Sequence, residues 1–134
     1  MDGANVEIFD AVGIDNIFIF GMKTPEVRDL AREYNPQIYY QSSAEIHKII
    51  DFINSGINGL QFPEIANIIN HDPYMVLADF ADYHRAREEM VKAYNDKRTW
   101  AQKSLMNIAG AGIFAADRAI DDYARDIWHT GPIK

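Results

Sequence analysis

Residues 16–20, NIFIF, followed at once by Gly21, are the stretch on which the fold turns. Four consecutive apolar residues, branched and aromatic in alternation, bounded by a glycine, read as a buried strand. The residues before it supply the context. Asp2-Gly3-Ala4-Asn5 reads as a tight turn, in which Asp2 can hydrogen-bond its neighbouring backbone and Gly3 tolerates positive φ. Asn5 then serves as an N-cap, with Glu7 placed to favour the helix dipole. A short helix follows through Val6, Ile8, Phe9 and Val12 and stops at Gly13. A strand that is apolar throughout expects neighbours on both edges and helices on both faces.

Beyond Gly21 the signals are helical. Thr24-Pro25-Glu26 combines an N-cap, a proline at the first helical position and an early acid. Val27, Leu30, Ala31 and Tyr34 recur at helical spacing until Asn35-Pro36 ends the segment. Ser42-x-x-Glu45 fits a capping box, ahead of Ile46, Ile49, Ile50 and Ile53 on one face and a stop at Gly56. Pro63-Glu64 opens a short helix through Ile65, Ile68 and Ile69, closed by His71-Asp72-Pro73. Tyr74 to Phe80, YMVLADF, fits either a second buried strand or the first turns of a helix, since periodicity cannot separate the two. Asp79 is the expected cap of a long helix carrying Tyr83, Ala86, Arg87, Met90, Val91 and Tyr94, and Asp96 of the next, which runs toward Gly110 and Gly112. A last helix holds Ile120, Tyr123, Ala124, Ile127 and Trp128, with Gly131-Pro132 beyond it.

The expected fold is therefore predominantly α with one or two short parallel-type strands. One or two strands cannot complete a sheet, and their open edges invite association. Residues 1–134 thus read as part of a larger α/β domain.

Composition excludes several classes. The 134 residues suit one domain and contain no cysteine, which rules out disulfides and thiolate metal sites and points to a reducing, cytoplasmic setting. A net charge of −7 disfavours a sequence-independent grip on nucleic acid phosphates. The longest apolar runs fall far short of the ~20 residues that span a bilayer, and no signal peptide is visible, so neither a nucleic acid nor a membrane is expected as a partner.

Each tempting motif has a plainer reading. Gly110-Ala111-Gly112-Ile113-Phe114-Ala115 matches G-x-G-x-x-A, but the segment before it is helical in pattern, so a helix-to-helix turn is expected rather than a dinucleotide loop. His47, His71, His84 and His129 are scattered, with no i, i+4 pair to suggest zinc, and His71 beside Asp72 suggests a local ion pair. Asp121, Asp122 and Asp126, with Arg118 and Arg125 four residues from Asp122 and Asp121, read as a solvated ionic face. Tyr34, Tyr39, Tyr40 and Trp100 could stack on sugars or bases, yet core and helix-end roles are commoner. Ser42, Ser43, Ser55 and Ser104 have no histidine at a suggestive spacing. No catalytic, cofactor-binding or metal-binding residue is assigned.

Read together, these words resemble one family. DGANVEI and NIFIFGM, then YNPQIYY, IIDFINSGI, DPYMVLADFADY and WAQKSLMNIAGAGIFAADRAIDDYARDIW follow in order the C-terminal part of the glycogen and maltodextrin phosphorylases, from Asp2 to Trp128. The resemblance implies the closing portion of the C-terminal Rossmann-type domain of a two-domain glycosyltransferase (GT-B) architecture. It also implies phosphorolysis of α-1,4-glucan ends to glucose 1-phosphate, with pyridoxal phosphate on a lysine whose 5′-phosphate acts as the acid–base partner. That lysine belongs to a Gly-x-Gly-Asn-Met-Lys-Phe motif upstream of the Asp-Gly-Ala-Asn match, and no Asn-Met-Lys occurs here. Lys23, in GMKT, lies after NIFIF and does not match. The substrate-phosphate residues lie upstream too, so the resemblance implies a chain inactive by itself, whose Met1 corresponds to an internal position. Its expected partner is the rest of such an enzyme, or another copy meeting the faces a missing sheet would cover. A truncated product serving only as a helical interaction module is the alternative. One departure stands out: the family's Phe-Ser-Ser-Asp-Arg is Phe114-Ala115-Ala116-Asp117-Arg118, leaving the last helix to be capped by Asp117 or to start less firmly.

Overall fold

The computed structural model describes residues 3–131, and these are predominantly helical. The expected turn at Asp2 and stop at Pro132 lie outside them. The described residues divide into two units, 19–87 and 3–18 with 88–131, and helix α6 (Val76–Asn95) supplies residues to both.

The first unit contains α2 (Thr24–Leu30), α3 (Pro36–Ser42), α4 (Ala44–Asn54), the short α5 (Pro63–Ala66) with a following 3₁₀ turn (Asn67–Ile69), and the N-terminal half of α6. Its core joins Ile46 and Ile50 of α4 to Leu77 of α6, with Tyr39, Tyr40, Ile68, Ile69 and Phe80 packed around them. Burying one such aliphatic side chain contributes about 1.5–3 kcal/mol, so these three anchor the unit.

Several boundaries differ from expectation, each for a local reason. Asn35-Pro36 opens a helix instead of closing one. The Asn35 side chain accepts from the Gln37 amide at 3.0 Å, and proline suits the first helical turn because its missing N–H is not needed there. The cap of α4 is Ser43, not Ser42: its hydroxyl accepts from Ile46 N–H at 3.3 Å, and no capping box with Glu45 forms. Gly56, at φ 82°, does follow the end of α4. Beyond it Asn58-Gly59, both with positive φ, turn the chain so that Ile57 and Leu60 exchange two backbone hydrogen bonds.

YMVLADF is not a strand. Val76 to Phe80 form the first turn and a half of α6, and Asp79 does not cap it. That role falls to Asp72, whose two carboxylate oxygens accept from Val76 N–H and Leu77 N–H, both at 3.0 Å, across a turn in which Met75 takes φ 57°.

The second unit contains α1 (Ala4–Val12), a 3₁₀ turn (Ile14–Asn16), the rest of α6, α7 (Lys97–Gly110), a 3₁₀ turn (Ala111–Phe114), α8 (Ala116–Tyr123) and a wide terminal turn (Ala124–Trp128). Asp96 caps α7 as expected, accepting from Arg98 and Thr99 N–H at 3.1 and 3.2 Å. Gly3, not Asn5, precedes α1, with no side-chain cap. Ala115 precedes α8 in extended conformation, again with no side-chain cap, so Asp117 does not replace the serine.

NIFIF is where the fold departs most from the sequence reading. Ile17 is extended (φ −135°, ψ 145°), yet residues 17–20 join no ladder, and among the described residues no named strand exists. A strand is defined by its neighbours. Here the backbone carbonyls turn to side chains instead: Asp15 to Lys103, Asn16 to Asn107 Nδ2 at 2.8 Å, and Ile19 to Arg85 at 3.1 Å.

Candidate functional site

In the second unit, residues 14–18 and helix α7 frame two adjoining clefts. One, of about 430 Å³, is lined by Asp15, Phe18, Lys92, Asp96, Thr99 and Lys103 among others. The second, of about 460 Å³, is more apolar and includes Ile17, Phe18, Trp100, Asn107 and Ile108. Their polar groups are largely engaged. Lys103 donates to the Asp15 carbonyl and faces the Phe18 ring at 5.4 Å. Asp96 accepts from the Thr99 hydroxyl at 2.7 Å, which holds its carboxyl below the usual range. Trp100 lies against Phe18 (6.4 Å, stacked) and Tyr94 (5.1 Å, edge-on), so its ring is a packing element rather than an open sugar platform.

In the first unit the polar chemistry gathers at two places. Asp72 is 6% exposed and accepts the Tyr34 hydroxyl at 2.6 Å besides capping α6. Burial first, and the Asp72 hydrogen bond second, push the Tyr34 pKa up. The expected His71–Asp72 ion pair gives way to this arrangement, because helix amides and a phenol satisfy the carboxylate. The second place is the exit of NIFIF. Asp82 accepts Gly21 N–H at 2.8 Å, Asp79 accepts Met22 N–H at 2.9 Å, and Arg85 Nε donates to Asp82 at 2.7 Å. Sequence reasoning missed both, since 38 and 57–61 residues separate the partners.

The remaining candidates are dispersed. Gly110 closes α7, and the G-x-G-x-x-A segment continues as a 3₁₀ turn, a helix-to-helix connection. A Cβ on Gly110 would lie 2.8 Å from Val12 and 3.1 Å from the Ala11 carbonyl, so this glycine permits α1 and α7 to approach. His47 pairs with Asp51 (3.1 Å) and stacks on Tyr40, His84 lies 3.7 Å from Glu45, and His129 meets the Arg125 carbonyl. Asp122 bridges Arg118 (2.5 Å) and Arg125 (2.7 Å), and Arg125 also grips Asp126, not Asp121. This is the exposed ionic face expected, with one partner exchanged. The hydroxyls of Ser55 and Ser104 donate to backbone carbonyls. Among the described residues no group of three or more His, Asp or Glu converges to hold a metal. Nor is any helix there long and apolar enough to cross a membrane.

A match to the carbohydrate phosphorylase family model extends over residues 1–130, nearly the whole chain. The chain belongs to the carbohydrate phosphorylase family. It is 40% identical to a glycogen phosphorylase of Synechocystis sp. over 99% of its length, and 40% identical to one of Chlamydia pneumoniae over 97%. It is 39% identical to the muscle form of human glycogen phosphorylase over 98%. In each case it spans about 16% of the relative's length.

The pyridoxal phosphate that the resemblance implies finds no fit at Lys23 or Lys103. A Schiff-base lysine needs an anion site for the cofactor phosphate beside it. Lys23 is exposed at the start of α2, and the amides around it are taken by carboxylates. Lys103 is committed to a carbonyl, in a cleft that also carries Asp15, Glu89 and Asp96.

Proposed function

We propose that this chain is the C-terminal portion of a glycogen or α-glucan phosphorylase, a glycosyltransferase acting in the cytoplasm. In that enzyme it closes the C-terminal domain of the GT-B architecture without supplying a reacting group. The reading is carried by one observation: a family match spanning residues 1–130, in a chain covering a sixth of its relatives' length. The chemistry, phosphorolysis of α-1,4-glucan ends to glucose 1-phosphate with pyridoxal phosphate, then belongs to the remaining five-sixths. The chain's own part is to complete the domain and hold the exit of the extended segment in place.

The decisive experiment is a chimera in which this chain replaces the matching segment of the Synechocystis glycogen phosphorylase. Release of glucose 1-phosphate from maltodextrin and phosphate is expected from the chimera and not from the chain alone. Phosphorolysis by the isolated chain, or an inert though soluble chimera, overturns the proposal.

The second reading, an interaction module without chemistry, is favoured by the apolar side chains that α7 and the terminal turn leave exposed, among them Leu105, Ile108, Ile127 and Trp128. An inert chimera, with the free chain forming a stable assembly, would favour it.

A further inference from the structure

The exit of NIFIF is held by carboxylates where a sheet neighbour would otherwise hold it. Three successive amides are engaged: Gly21 N–H by Asp82 (2.8 Å), Met22 N–H by Asp79 (2.9 Å) and Lys23 N–H by Glu26 (2.7 Å). Arg85 completes the arrangement, donating through Nε to Asp82 and through a terminal nitrogen to the Ile19 carbonyl at 3.1 Å. Asp79, Asp82 and Arg85 sit three residues apart, so one face of α6 receives the turn. Phe20 meets Tyr83 of the same helix edge-on at 5.2 Å. Gly21 is required by the geometry: its φ is 89°, and a Cβ there would fall 2.8 Å from the Asp79 carboxylate.

We propose that Asp79, Asp82 and Arg85 form a latch, a set of positioning residues that locks residues 19–22 onto α6 and fixes where the extended segment ends. The latch stands independently of the phosphorylase reading. Among the described residues, the charged or titratable groups facing it include Asp79, Asp82, Tyr83 and Arg85 from α6, and Lys23 and Glu26 from the start of α2. Within this set Arg85 acts first, and the Gly21 amide second, to hold the Asp82 carboxyl below the usual range. A depressed carboxyl contributes stability that is present above its unfolded pKa and lost as pH falls through the folded one. Protonating Asp82 weakens its hold on the Gly21 N–H, so this contact loosens on acidification and is intact at neutral pH.

The test is NMR-detected amide exchange on the full chain, following Gly21 and Met22, with Ile50 in buried α4 as internal reference. At pH 7 both amides are expected to be protected. Asp82→Asn should lower protection of Gly21 roughly threefold to tenfold, the scale of replacing a charge-assisted hydrogen bond by a neutral one, and leave Ile50 unchanged. Arg85→Met should move the pH at which Gly21 opens upward, toward the ordinary carboxylate range. Unprotected amides in the wild type, or loss only together with Ile50, would overturn the proposal, as would an opening pH unmoved by Arg85→Met.

Discussion

Asp72 shows how one buried side chain ties distant parts of a small unit together. It takes three hydrogen bonds, two from the first amides of α6 and one from Tyr34, 38 residues upstream. Asp72→Ala strips a cap and leaves a half-buried phenol without its acceptor, so a loss of about 1–3 kcal/mol is expected, read as a lower urea midpoint. Tyr34→Phe removes only one bond and should cost about 1 kcal/mol. Alkali gives an independent check. The raised Tyr34 pKa means its contribution is complete below the unfolded tyrosine value near ~10 and is lost as pH rises beyond it. Wild type should therefore lose stability above that pH by a margin that Tyr34→Phe lacks. Equal alkaline profiles would sever the link between the phenol and the carboxylate.

At the scale of elements, the glycines flanking the end of α7 separate two meanings of one motif. Gly110 faces Val12 and the Ala11 carbonyl at distances too short for a Cβ, whereas Gly112 has open space. Gly110→Ala should destabilise by about 1–3 kcal/mol through overpacking, while Gly112→Ala should stay within about 0.5 kcal/mol, measured by chemical denaturation. A phosphate-cradling loop would give a different pattern, since both glycines would then be needed for ligand approach. Helix α8 offers the converse case. Ala115 stands at the N-cap with extended backbone and no capping side chain. Ala115→Ser should stabilise the chain by about 0.5–2 kcal/mol, seen as a higher urea midpoint, and an unchanged midpoint would mean that the helix start is already satisfied. Much of this level was legible in sequence, because caps and stops are local chemistry: Asp96, Pro63 and Gly56 act where the pattern places them. Asn35-Pro36 is misread because such a pair can follow a helix or open one, and here α2 has already stopped at Leu30 while Asn35 caps α3. NIFIF was misread because a strand exists only through partners that local sequence does not contain. The carboxylates holding Gly21 and Met22 were invisible for a related reason: they arrive from α6, and no short-range pattern announces them.

The whole molecule carries more apolar surface than its cores use. Helix α7 has no buried residue, and Leu105 and Ile108 on it are 65% and 73% exposed. Ile127 and Trp128 follow the same tendency at the end of the described chain. Exposed apolar residues scattered singly need no explanation, but α7, whose Trp100, Asn107 and Gly110 face Phe18, Asn16 and α1, leaves Leu105 and Ile108 uncovered among the described residues. If the remainder of a phosphorylase is what covers such faces, one substitution should have two different costs. Leu105→Glu and Ile108→Glu replace solvent-exposed groups in the isolated chain, so each should shift its stability by no more than about 0.5 kcal/mol. In the chimera with the Synechocystis enzyme the same positions would be buried, and an unpaired carboxylate there should cost several-fold or more in phosphorolysis or in soluble yield. Dye binding offers a parallel readout: a hydrophobic fluorophore should bind the free chain and lose most of its signal, per mole of this segment, in the chimera. Variants harmless in both settings would mean that α7 faces water even in the complete enzyme, and the apolar face would then need a different occupant.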